Sequence, residues 1–283
     1  MLRAADVTCR FGRAPVLHGV SLQVAGGGIT GVLGPNGSGK TTLLRILAGA
    51  LPPSSGEVHL DGAPIGSVPK RVLARRLAVV PQEIHPVFDY TVLDMTLMGR
   101  YAHLGPFGFE TALDLLAVRR ALAATGTADL ECRHFDTLSG GEQQRVVIAS
   151  ALAQFDEDTG DEGRLLILDE PTAALDLHYQ IEVAQLLRRL ADERKLTLLV
   201  TTHDLQFAWQ VCDRVVLLQD GRVLADGPTE ETLTPEHLHA LYGVRVDRMR
   251  HPDGTVSLVP ASLVGDRSVR APVPVIAPHG AAR

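Results

Sequence analysis

Eight consecutive residues, Gly34-Pro35-Asn36-Gly37-Ser38-Gly39-Lys40-Thr41, fit the spacing G-x-x-x-x-G-K-[ST] and follow a short apolar run, Ile29 to Leu33. Glycines at these places let backbone N–H groups turn inward around an anion. A helix expected to begin near Lys40 and continue from Thr42 adds the positive end of its dipole. The chemistry this predicts is binding of a nucleoside triphosphate by Gly34, Pro35, Asn36, Gly37, Ser38, Gly39, Lys40, Thr41 and Thr42. Lys40 reaches the β- and γ-phosphates, and the Thr41 hydroxyl ligates Mg²⁺. Of 27 basic residues only Lys40, Lys70 and Lys195 are lysines. One of the three stands where a compact point charge on a flexible stem is needed, a role the planar arginine fork does not reproduce.

Two further segments carry chemistry. Leu165-Leu166-Ile167-Leu168-Asp169-Glu170 reads as a buried strand ending in adjacent carboxylates, which alternation along an extended chain aims in different directions. Beside a phosphate loop, Asp169 is expected to hold the Mg²⁺ shell with Thr41 and Glu170 to polarise the attacking water; taken alone, the pair reads equally well as ordinary solvated acids. Leu138-Ser139-Gly140-Gly141-Glu142 offers a hydroxyl and flexible backbone amides at the start of a helix expected over Glu142 to Leu152, a second anion site. Either the intervening segment folds this loop back over the first phosphate site, or the loop covers the nucleotide of a second copy.

The elements that must position these residues follow from pattern. Val16 to Val24 alternates weakly, Gly26-Gly27-Gly28 is a turn, and Ile29 to Leu33 is the strand feeding the phosphate loop. Asp61-Gly62 joins Glu57–Leu60 to Ala63–Ile65, and Asp220-Gly221 folds Val215 to Ala225, as two hairpins. From about Pro86 to Gln154 the pattern is helical, with Val92, Met95, Leu97, Met98 and later Leu113, Leu116, Ala117 and Leu122 at helix intervals. Phe155 to Arg164 reads as an acidic exposed loop. Leu165 to Leu168 is a strand, Leu177 to Glu193 a helix, Leu196 to Thr201 a strand and Leu205 to Cys212 a short helix. Val244 to Val259 reads as a further hairpin turning across His251-Pro252-Asp253-Gly254. Alternating strands and helices predict an α/β fold with a largely parallel sheet.

Composition narrows the class. The 283 residues are 45% hydrophobic and 21% charged, enough for a folded core of one large or two modest units. A net charge of -6 with dispersed basic residues disfavours nucleic acid as the main partner. Cys9, Cys132 and Cys212 form no metal or redox spacing and fit a reducing compartment. Neither a signal-peptide core nor a run of about 18 apolar residues is present, so the expectation is a cytoplasmic chain that does not itself span a membrane.

In order along the chain, the phosphate loop, LSGGEQQR, LLILDEP and Thr201-Thr202-His203-Asp204 resemble the ATPase subunit of ATP-binding cassette (ABC) transporters over about residues 1–242. The resemblance implies an α/β P-loop NTPase core with a mostly parallel sheet, an N-terminal antiparallel β subdomain and an inserted α-helical subdomain at about 86–154. Residues 243–264 are then a C-terminal hairpin extension and 265–283 a flexible tail. ATP and Mg²⁺ are the implied ligands. Phe11 is implied to stack on adenine, where many members have tyrosine; its competing reading is a core aromatic. Gln82 is implied to contact Mg²⁺ or the attacking water and to sense a transmembrane partner; its competing reading is a strand cap. Ala174-Leu175-Asp176 is implied to cross between subunits, His203 to contact the γ-phosphate, and Ser139, Gly140, Gly141 and Glu142 to close over a partner's ATP. Catalysis thus falls to Glu170, His203, Gln82 and Lys40, and Mg²⁺ to Thr41, Gln82 and Asp169.

The implied assembly is a head-to-tail homodimer at the cytoplasmic face of the cell membrane, bound to two transmembrane permease subunits and, indirectly, a substrate-binding protein, with no nucleic acid. Within the family, Leu77 to Gln82, Thr91 to Asp94, Met98 to Gly105 and Leu241 to Val244 are similar to segments of the import ATPases for iron-siderophores, haem and cobalamin. An exporter ATPase and a soluble non-transport relative are the alternatives. The latter usually carries two cassettes or a long coiled coil, and this chain has neither.

Overall fold

Alternating apolar positions build the first layer. Strands β1 (Leu2–Phe11) and β2 (Ala14–Val24) pair antiparallel, with Leu2 opposite Val24 and Phe11 opposite Ala14. Register shifts after Ala4, Val7 and Cys9, with Asp6 at φ 50°, break the period of two, which is why this layer reads weakly in the sequence. With β4 (Ser55–Leu60) and β5 (Ala63–Pro64) they form a sheet in the order β2-β1-β4-β5. Asp61 and Gly62 turn between the last two at φ 49° and 82°, the positive values this dipeptide predicts. The computed structural model describes residues 1–84, 86–105, 108–155, 163–173, 175–252 and 255–263. Most of the acidic segment 155–164, Ala174, the turn at 253–254 and the expected tail 265–283 lie outside the described residues.

Unbroken apolar runs build the second layer. Strands β3 (Gly28–Leu33), β6 (Leu77–Val80), β7 (Leu165–Asp169), β8 (Thr197–Thr202), β9 (Arg214–Gln219) and β10 (Arg222–Pro228) form a sheet in the order β10-β9-β3-β8-β7-β6. All neighbours but β10 and β9 run parallel. Both faces are buried, so alternate residues of one strand enter different cores. Leu165 and Ile167 join Leu43 and Leu47 of helix α1 (Lys40–Leu47) beneath the antiparallel sheet, whereas Leu166 and Leu168 join the helices opposite. The expected hairpin at Val215 to Ala225 is therefore part of a larger sheet, since β9 also pairs with β3 from Thr30↔Arg214 to Leu33↔Leu217.

Between β6 and β7 stands the helical insert: α3 (Val92–Leu97), α4 (Ala112–Thr125) and α5 (Gly140–Ala153), with α2 (Lys70–Ala74) just before β6. Each of the three begins with a reciprocal capping box, Thr91 with Asp94, Thr111 with Asp114 and Ser139 with Glu142, which satisfies amides that a short helix leaves unpaired. One expectation fails in detail. Leu113 and Leu116 are 74% and 44% exposed, and α4 packs instead through Ala117, Val118, Ala121 and Leu122. Helices α6 (Leu177–Arg194), α7 (Leu205–Val211), α8 (Thr229–Thr232) and α9 (Pro235–Tyr242) precede an antiparallel hairpin of β11 (Val244–Arg250) and β12 (Val256–Leu263).

Candidate functional site

The phosphate loop connects β3 to α1 in a conformation that side chains would obstruct. A Cβ on Gly34 would overlap the Leu218 carbonyl oxygen, and Gly39, at φ 100°, has Leu17 Cδ2 within 2.8 Å of where its Cβ would stand. Gly37 is at φ 81°. No side chain caps α1 and no acid lies in its first turn, so its leading amides and dipole face the cleft without competition. Lys40, 6% exposed, donates from Nζ to the carbonyls of Gly34 at 2.8 Å and Pro35 at 3.2 Å. The ammonium is thereby held inside the glycine-rich loop.

Two parallel strand ends bring the acids and the histidine to the same place. Asp169 ends β7, is 8% exposed, and accepts the Thr201 hydroxyl at 2.6 Å. Glu170 follows at φ 47°, a left-handed value uncommon for a residue with a side chain, and its N–H is bonded to Thr201 O at 3.2 Å and Thr201 Oγ1 at 3.0 Å. Thr201 therefore orients both acids. From that turn the Glu170 carboxylate lies 3.5 Å from Lys40 Nζ through Oε1 and 3.1 Å from His203 Nδ1 through Oε2. Asn36, Gly37, Gly39, Lys40, Thr41, Thr42, Gln82, Glu170 and His203 line one cleft of about 610 Å³, together with Val16 and Ala173.

The donor set fits a hard cation beside a triphosphate. Thr41 and Gln82 line the cleft and Asp169 ends the strand beneath it, so oxygen donors are what a cation there would meet, and no cluster of three His, Cys, Asp or Glu able to hold a metal occurs among the described residues. One carboxylate with hydroxyl and amide oxygens is what Mg²⁺ takes when phosphates and waters complete its shell. Ser38 Oγ, in the same loop, is buried and without a hydrogen-bond partner among the described residues.

The start of α5, expected as a second anion site, has its polar groups paired with one another. Ser139 caps α5; its N–H and Oγ both donate to Glu142 Oε2, at 2.8 and 2.9 Å. The backbone hydrogen bond from Ser139 leads in holding the Glu142 carboxyl below its ordinary range, outweighing desolvation. Gly140 sits against Leu175, and a Cβ on Gly141 would overlap the ring of Tyr179. Asp176 caps α6 by accepting from Tyr179 N at 3.3 Å. The segment at 139–142 and the one at 175–179 thus form a single packed unit, and neither lines the cleft.

Phe11 is 52% exposed at the end of β1, so the core reading fails; it is not among the residues lining the cleft. Gln82, just past β6, does line it. Sequence reasoning missed Val16, Ala173 and Thr201. The first two carry no chemical signal, but the hydroxyls of Thr201 and Thr202 at the end of an apolar strand do.

Comparison with known proteins gives a consistent result. Residues 17–173 match the family model described as ABC transporter. The hemin import ATP-binding protein HmuV of Bordetella pertussis is 43% identical over 253 residues, which span 89% of this chain and 95% of that protein. The cobalamin import ATP-binding protein BtuD of Halobacterium salinarum is 38% identical over 259 residues, 90% of this chain and 63% of that protein. Among solved structures, the inward-facing conformation of a protein assigned to the metal-chelate type of ABC transporter is similar with a TM-score of 0.79 and 30% identity, covering 92% of this chain and 96% of that one. The dimeric structure of MJ0796, a bacterial ABC transporter cassette, is similar with a TM-score of 0.67 and 27% identity, covering 81% and 99%.

Proposed function

This chain belongs to the ABC transporter family as an ATP-hydrolysing subunit serving import, and from that premise we propose that it powers uptake of hemin, with cobalamin or an iron-siderophore as the competing cargo. It works as a head-to-tail homodimer beneath two permease subunits at the cytoplasmic face of the membrane, fed indirectly by a substrate-binding protein. Residues 1–242 form the ATPase unit. The contact of Glu170 with both Lys40 and His203 inside the phosphate-loop cleft carries the hydrolytic reading.

The residues divide the work. Amides from Gly34 to Thr42 and the Lys40 ammonium bind the phosphates, and Phe11 stacks on adenine. Thr41, Gln82 and Asp169 would hold Mg²⁺, which when bound neutralises charge on the phosphate oxygens. Glu170 accepts the proton of the attacking water, and His203 keeps that carboxylate aimed while reaching the γ-phosphate. Ser139, Gly140, Gly141 and Glu142, with Asp176, close over the ATP of the second copy, since they lie outside their own chain's cleft.

Closure does transport only through contacts that differ between open and closed states. The insert supplies a face for them. Just beyond Gln82, Ile84, Pro86, Phe88, Asp89, Tyr90, Phe135, Asp136 and Gln143 line a groove of about 370 Å³, with Val87 and Phe88 87% and 70% exposed beside it. A groove that mixes aromatic side chains with the acids Asp89 and Asp136 suits a short permease helix carrying basic residues. No helix among the described residues is long and apolar enough to cross a membrane.

The test is co-purification from detergent-solubilised membranes, followed by uptake of hemin, cobalamin and a ferric siderophore in a deletion strain. Loss of hemin uptake alone is the expected result; loss of another cargo alone reassigns the substrate, and efflux defects with intact uptake overturn import.

A further inference from the structure

His203 follows directly on β8, and the next residue caps α7: Asp204 Oδ1 accepts from Gln206 N at 2.8 Å and Phe207 N at 3.0 Å, while Asp204 N donates to Thr202 Oγ1 at 3.0 Å. Gln206, in the first turn of that helix, directs its side chain to the C-terminal hairpin. Its Nε2 donates to Val256 O at 3.2 Å, and its Oε1 accepts from Leu258 N at 3.1 Å. A primary amide presents one donor and one acceptor as a peptide unit does, so Gln206 pairs with β12 like an extra strand residue. Beyond this clasp α7 and the hairpin separate around a groove of about 710 Å³ lined by Gln206, Trp209, His251 and Ser257, among others.

The hairpin is itself well anchored. The Arg248 guanidinium lies over the Trp209 ring at 4.6 Å and donates to the carbonyls of Glu230 at 2.9 Å and Leu233 at 2.8 Å. Gln219 Nε2 donates to Ala240 O at 3.1 Å, tying α9 to the end of β9. At the end of α9 the Tyr242 hydroxyl is buried without a hydrogen-bond partner among the described residues, and burial, with the charge of Glu170 contributing, pushes its phenol up to about 12. The C-terminal hairpin is therefore joined to the helix that follows His203, yet none of its described residues lines the cleft.

We propose that Gln206 is a positioning residue: by fastening α7 to β12 it holds the His203 imidazole in hydrogen-bond register with Glu170, and the hairpin sets the turnover rate of a site it does not enter. Helix α7 meets the hairpin through this clasp at its first turn and through the Arg248–Trp209 stack further along, and only Asp204 separates its first residue, Leu205, from His203, so cutting the clasp frees the end of the helix nearest the imidazole. This inference rests on the hydrolytic roles of Glu170 and His203 proposed above.

The test is ATPase kinetics of the full chain carrying Gln206→Leu, which removes both bonds at similar volume, together with NMR of the His203 ring. The expected result is a kcat lowered about fivefold with the KM for ATP within about twofold, because misalignment of a catalytic group acts on the chemical step. The His203 resonances shift in the same variant. Gln206→Ala also removes both bonds and leaves room for water at Val256 O and Leu258 N, so it should lower kcat comparably; it carries the test should Gln206→Leu fail to fold. An unchanged kcat, a rise in KM alone, or a lowered kcat with unmoved His203 resonances overturns the proposal. A wild-type chain without ATPase activity would instead sink the hydrolytic reading on which it stands.

Discussion

Two helix N-termini that the sequence marks as anion sites are finished in opposite ways. Helix α1 begins at Lys40, after Gly39, with no side-chain cap and no acid in its first turn, and the Glu170–His203 pair meets it at Lys40. Helix α5 begins at Ser139, whose hydroxyl and N–H are both spent on Glu142. The first is a site complete enough to hold a triphosphate. The second is self-satisfied and carries a charged carboxylate where a phosphate approaches, so its affinity for a free anion is low. In the proposed dimer it would serve as a second grip on a nucleotide already held, which is the requirement for a site shared between two chains.

The contrast breaks most sharply at Glu170. Glu170→Gln leaves the phosphate-binding groups of α1 in place but removes the base, so ATP turnover should fall roughly 10²–10⁴-fold, the range for general-base removal. Phosphate-release assays should register that loss while size-exclusion chromatography with ATP shows dimers accumulating. Unimpaired turnover removes Glu170 from the mechanism.

Ser139→Arg probes the other helix start. ATP affinity of the isolated chain should stay near wild type by calorimetry, because α1 does the binding, whereas turnover falls about a hundredfold through obstruction of the partner's γ-phosphate. Full activity with the change in both subunits contradicts the shared site. A smaller effect is expected at Gly141→Ala, whose Cβ meets the Tyr179 ring and should destabilise the chain by about 1–3 kcal/mol in urea unfolding. Tyr179→Ala in the same chain should recover part of that loss.

The smallest effect concerns the cap. Glu142→Gln should lower stability by about 1 kcal/mol, the usual worth of a helix cap. Because the folded-state carboxyl titrates below its ordinary value, its contribution is present above the unfolded value and is lost as pH falls through the lowered one. Thermal unfolding of wild type and variant should therefore converge on acidification through the carboxylate range; a constant gap separates the charge from the rest of the cap.

Local spacing explains what was readable in advance. The phosphate loop, the paired acids and the two Asp-Gly turns depend on neighbours within a few residues, and the positive φ values at Asp61, Gly62, Asp220 and Gly221 follow from residue type. Strand β1 was hidden by its register shifts, and β6 by its four residues. Leu113 and Leu116 fit a helical period, but periodicity does not say which apolar stripe meets a neighbour, and α4 turns those two outward. Thr201 and Gln206 act on residues 31 or more positions away, a relation that no window along the chain contains.

Residue order by itself determined the chemistry of this protein: a lysine in a glycine loop, two acids after an apolar strand, a histidine after another, and a Ser-Gly-Gly helix start. Only the tertiary structure decided how they are grouped. Parallel pairing of β3, β8 and β7 in register carries Lys40, Glu170 and His203 to one edge of the sheet, while packing of α5 against α6 keeps Ser139 away from it. That division rests on long-range contacts, whose free energy depends on which surfaces meet in three dimensions and leaves no periodic trace in the chain.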